Sequence, residues 1–102
     1  MDSLRATEEA SAAVQKTSHR VALDDMEAKI DSVEFYNPMN IPHMTVAIVV
    51  MKNGYAVVGK SAPADPDNYD HDHGRRLARE DALRQLWPLE GYALRERTMD
   101  VT

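Results

Sequence analysis

Arg75 and Arg79 are the residues whose type and spacing call for an explanation. They lie one turn apart in GRRLAREDALRQLW, residues 74–87. At roughly 100° per residue, Ala78, Ala82, Leu83, Leu86 and Trp87 form one apolar arc, and both arginines project into it. Two planar guanidinium forks in a partly desolvated place suit a carboxylate or a phosphate. Internal uses compete with that chemistry: pairing with Asp31 or Glu34, pairing with Asp65 and Asp67, or burial of the stems alone while the heads reach water. Trp87 and Tyr92 flank Pro88 and offer a stacking platform for a base or an anchor for a partner, with core packing as the alternative. Tyr55, beside a turn glycine, and Lys60, on the strand that follows, complete the candidate ligand-binding set of Arg75, Arg79, Tyr55, Lys60, Trp87 and Tyr92.

Other chemistry finds less support. His71 and His73 in DHDH are two residues apart, whereas ligands on one helical face need a spacing of three or four, so a solvated helix start is expected and no metal site. Ser61, Thr45, the histidines and the acids show no nucleophile, base and orienter spacing, and no glycine-rich phosphate loop is present. Neither catalysis nor a cofactor is expected. The chain has no cysteine, which excludes disulfides and thiolate chemistry and suits a reducing compartment.

The elements that must position these residues follow from periodicity. Leu23, Met26, Ile30 and Val33 recur at three- and four-residue spacing, predicting a helix over Val21 to Tyr36, with Asp24, Asp25 and Glu27 at its positive end. Asn37 precedes Pro38 and should end it. β-Branched residues flank Asn53-Gly54, which predicts a hairpin of about 44–51 and 55–61 closed by a type I′ turn. That turn pairs Val50 with Val57 and Ile48 with Gly59 on one face, and Val49 with Val58 and Ala47 with Lys60 on the other. Both faces of the first strand are apolar, so the second face or edge is expected to meet another copy of the chain. Asp65-Pro66 reads as an N-cap and first helical residue, and Asp70 or Asp72 as the cap of the longer helix. Pro88 should kink or end that helix, with PLEGYALRER forming a last short helix that puts Leu89, Tyr92 and Leu94 on the core. Residues 1–20, rich in Ala, Ser and Glu, are expected as a mobile tail or weakly held helix, and 21–102 as a single α+β domain.

At 102 residues the domain is marginal for a monomer, which again favours a homo-oligomer. A net charge of −5 disfavours general DNA or RNA binding. No apolar run approaches the roughly 18 residues of a membrane span, and the first 22 residues lack the order of a signal peptide.

MKNGYAVVGKSAPADPDNYD followed by GRRLAREDALRQLWPLEGYALRER resembles the phage gene-product 49/66 family, small proteins of tailed phages and prophages. VALDDMEAKIDSVEFY is similar to the helix that opens many members, so the resemblance runs over about residues 21–97. The pattern consists of the Asn-Gly turn, the glycine of the second strand, the proline and asparagine of DPDNYD, then GR, AR, WPLEGY and LR at matching spacing. The chain departs from it at HDHG, where members have an acidic or apolar pair before the glycine. Arg75 and Arg79 match arginines of the pattern.

The resemblance implies a phage setting and action in the host cytoplasm. The expected function is a non-enzymatic counter-defence binder that sequesters a small anionic ligand, such as a cyclic nucleotide signal, with Arg75 and Arg79 on phosphate and an aromatic on the base. The alternative is a protein-protein inhibitor of a host defence or nucleic-acid-handling enzyme; a third reading is a minor assembly or scaffolding protein.

Overall fold

The computed structural model describes residues 3–16 and 19–99. In chain order the elements are α1 (Ser3–Ala13), α2 (Leu23–Ala28), β1 (Ile30–Tyr36), β2 (Thr45–Met51), β3 (Ala56–Ser61), a 3-10 turn (Pro66–Asn68) and α3 (His71–Met99). The fold is α+β, with a three-stranded antiparallel sheet in the order β1-β2-β3.

The third strand corrects the expected helix over Val21 to Tyr36, of which only six residues are helical. Ile30 pairs with Met51 and Ser32 with Val50, so Asp31 is an extra residue bulged out of the ladder. The bulge sets the helix-facing Ile30 and Val33 three positions apart instead of two, which imitates helical spacing. Beyond it the strand alternates normally, with Val33 and Phe35 half-buried and Glu34 and Tyr36 exposed.

The hairpin between β2 and β3 turns differently from the type I′ expectation. Gly54 donates to the Met51 carbonyl at 2.8 Å and Met51 to the Tyr55 carbonyl at 2.7 Å, closing a three-residue loop. Gly54 alone has a positive φ, of 89°, whereas type I′ needs one at Asn53 as well. The arrangement is a type I turn followed by a glycine bulge, and Asn53 Oδ1 accepts the Tyr55 N–H at 2.9 Å. The extra loop residue moves the register by one: Val49 faces Val57, Ala47 faces Gly59 and Ile48 faces Val58. A shift of one residue exchanges the two faces of β3. Val57 and Gly59 are therefore buried against the helices, while Val58 and Lys60 point outward and are exposed.

Thr45, Ala47, Val49 and Met51 of β2 are buried on the inner face beneath α3. The approach is close because the residues in contact are small. A Cβ on Gly59 would lie 2.1 Å from the Ala78 carbonyl oxygen and 2.4 Å from the Ala82 nitrogen. The core joins Leu23 and Met26 of α2, Val49, Met51 and Val57 of the sheet, and Leu83 and Leu86 of α3. Leu4 of α1 belongs to the same cluster, in a segment expected as a tail or weakly held helix. Asp70 caps α3 by accepting the His73 N–H at 2.7 Å, and Asp65 caps the 3-10 turn by accepting the Asp67 N–H at 3.0 Å.

α3 is one element of 29 residues with Pro88 inside it, in place of two helices. Leu89 and Tyr92 are 47% and 70% exposed, so they do not join the core; Leu94 is half-buried. The outer margin of β3 is covered by α3 side chains: Asp81 accepts the Lys60 N–H at 2.9 Å and Gln85 donates to the Val58 carbonyl at 2.7 Å. No helix among the described residues is long and apolar enough to cross a membrane.

Candidate functional site

α3 lies mainly over β2 and β3, and β1 extends past it. The two arginines span that gap. The Arg75 guanidinium carbon sits 5.1 Å from the centroid of the Phe35 ring, a cation-π contact that covers the inner face of β1. Arg79 Nη1 lies 3.4 Å from Glu27 Oε1 of α2. Their partners are thus a ring and an acid that sequence spacing did not single out, in place of Asp31, Glu34, Asp65 or Asp67. Arg75 Nε is buried and has no hydrogen-bond partner among the described residues.

Trp87 is placed otherwise. It packs against the core from the edge and lines a cavity of about 470 Å³ between α3, α1 and the segment leading into α2. Val21, Trp87 and Leu94 give this cavity an apolar wall, Gly91 opens its floor, and His19 and Arg20 bring imidazole and guanidinium groups to it. A Cβ on Gly91 would meet nothing within 4 Å, so the glycine leaves space that a side chain would take. Arg20 is held in place by Glu8, at 2.6 Å, and by Gln15, to which its Nε donates at 2.8 Å. A volume of this size, apolar with a few fixed polar groups, is within the range of small-molecule sites.

The other candidates are scattered. Tyr55 is exposed at the hairpin turn, Lys60 on the outer face of the sheet, and Tyr92 on the far half of α3. His71 approaches Asp72 at 3.3 Å, and His73 Nδ1 accepts from Arg76 at 2.6 Å, both at the exposed start of α3. Sequence reasoning missed His19 and Arg20 because their segment has little to bury. The signal it did contain is Leu4 and Glu8, four apart on α1 and both buried.

Glu8 is the link that docks this segment. Ala22 at the N-terminus of α2 provides no side-chain cap. Glu8 Oε2 accepts the Leu23 N–H at 3.0 Å instead, while its other oxygen holds Arg20.

Residues 21–98 match the model of the Phage protein (N4 Gp49/phage Sf6 gene 66) family. The chain belongs to this family. No curated protein and no solved structure matches it. In this Gp49/gene 66 family member the arginine pair, the hairpin and Trp87 all fall inside the matched span, whereas α1, His19 and Arg20 precede it. The cavity is therefore walled on one side by the family's own fold and on the other by residues outside the match.

Proposed function

We propose that this phage protein is a non-enzymatic binder that works in the host cytoplasm by capturing a small organic anion with a planar ring, a cyclic nucleotide signal of host defence being the kind of molecule meant. The observation that supports this is the cavity on Trp87, where an indole and aliphatic wall face the Arg20 guanidinium and the His19 imidazole. A ring stacks on the indole and the anionic group meets the guanidinium, whose remaining N–H groups are still to be used. Arg75 and Arg79, already engaged with Phe35 and Glu27, serve in this reading to hold β1 and α2 in place.

Trp87 is the only tryptophan, so its emission reports on the cavity without mutation. Titration with a panel of mono-, di- and cyclic nucleotides should change that emission and raise the melting midpoint for at least one of them. A ligand at a hundredfold excess over its Kd adds about 2.7 kcal/mol, which for a domain of this size is a shift of roughly 10 °C or more. Gly91→Leu should fill the cavity and abolish the response while keeping or raising stability, since glycine in a helix interior costs about 1 kcal/mol. Silence of Trp87 across the panel, with no shift in midpoint, would remove this reading.

A second reading has its own support. Leu89, Tyr92 and Met99 are exposed on α3 and fall within about 80° of one another at roughly 100° per residue. Such a stripe on an acidic chain suits a host protein with an apolar groove and a basic rim. Here Tyr92→Asp abolishes capture of the host protein and leaves the nucleotide titrations unchanged. Equal capture by wild type and variant counts against it.

A further inference from the structure

The outer face of the sheet takes no part in the core or in the Trp87 cavity. Its ladder rows are Ser32, Val50 and Ala56; Glu34, Ile48 and Val58; and Tyr36, Val46 and Lys60. The helices pack on the opposite face, which leaves Tyr36 52% and Val58 54% exposed on this one, with Ile48 and Val50 half-buried between them and Val46 buried at 8%. It is apolar at its centre, and its two charges have opposite sign and lie on opposite margins, Glu34 on β1 and Lys60 on β3.

We infer that this face binds a second copy of the chain, in a symmetric dimer whose twofold axis runs parallel to the strands through Ile48. Charge complementarity selects both the occupant and the axis. A twofold parallel to the strands lays β1 of one copy on β3 of the other. Tyr36 then covers the partner's Lys60. Glu34 covers the partner's Val58, one ladder step of about 7 Å from the partner's Lys60, a distance two long side chains bridge across the roughly 10 Å between stacked sheets. A twofold perpendicular to the strands would instead set each Glu34 against its own copy. The surface is thus complementary to itself in one orientation and repelled in the other, a property that a site for an unrelated acidic or basic partner does not need. Dimerisation leaves the Trp87 cavity accessible, because that cavity lies between α1 and α3 on the helical side.

The test is sedimentation equilibrium of the full chain from low to high micromolar concentration. A standard interface engages about 20–30 residues a side, and this face is smaller, so the apparent mass should climb from 11.5 kDa toward twice that value within the micromolar range. Val58→Lys should keep the chain monomeric throughout, with circular dichroism unchanged and a melting midpoint equal to that of wild type diluted to monomer, because the position is exposed in the single copy. Glu34→Lys should weaken association by more than about tenfold through repulsion from the partner's Lys60, and adding Lys60→Glu to it should restore association. Wild type that stays monomeric, or a Val58→Lys variant that still dimerises, overturns the inference. A charge swap that fails to rescue Glu34→Lys overturns the axis and with it the argument for a second copy.

Discussion

Gly59 sets how near α3 comes to the sheet. Any Cβ there would enter the backbone of α3 at Ala78 and Ala82, which cannot move aside as a flexible side chain can. Gly59→Ala should therefore destabilise the fold by about 1–3 kcal/mol, read as a lower midpoint in urea at constant slope. Arg75 and Arg79 act on a smaller scale. Arg79→Ala gives up a half-exposed ion pair worth about 0–1 kcal/mol. Arg75→Ala uncovers Phe35 and loses about 1 kcal/mol of cation-π and stem contact; a double-mutant cycle with Phe35→Leu should return a coupling of that order. The sequence reveals that both arginines sit on the wrong side of an amphipathic helix. Their partners were not legible, because a helix drawn from Val21 to Tyr36 turns Asp31 and Glu34 toward α3, whereas the actual strand turns Phe35 toward it and leaves Glu27 on α2.

Among the elements, β1 shows how one inserted residue can disguise a strand. Its β-branched and aromatic residues favour a sheet, yet the bulge at Asp31 gives Ile30 and Val33 the spacing of a helix that Leu23 and Met26 had already begun. The hairpin and the long helix were legible, since an Asn-Gly pair between β-branched runs and an apolar arc recurring at helical spacing are strong local signals. The turn type was not, because the pair Asn53-Gly54 fits both a two-residue loop and the longer loop observed. α2 is too short to hold itself, and its uncapped start depends on Glu8 of α1. Glu8→Ala leaves the Leu23 N–H without its acceptor and Arg20 with Gln15 alone, and should cost about 1–3 kcal/mol in chemical denaturation. Glu8→Gln keeps one of the two acceptor oxygens, loses the charge, and should cost less.

For the whole molecule, the candidate ligand site is a composite: the family fold contributes Trp87, Gly91 and Leu94, and residues ahead of the matched span contribute His19 and Arg20. That division explains why the site was only partly legible. Tryptophan beside a helix-internal proline announces itself, while a cation in a polar, alanine-rich segment becomes a site residue only when Leu4 and Glu8 dock that segment on α2 and α3. The sheet below them is asymmetric. At β3 the outward backbone groups of Val58 and Lys60 are taken by Gln85 and Asp81, and β1 has no such cover among the described residues. A strand edge left bare on both sides is a template on which chains add without limit and precipitate. With one margin sealed from within its own chain, a copy offers one bare strand edge among the described residues, that of β1, so edge pairing by itself joins two copies and goes no further.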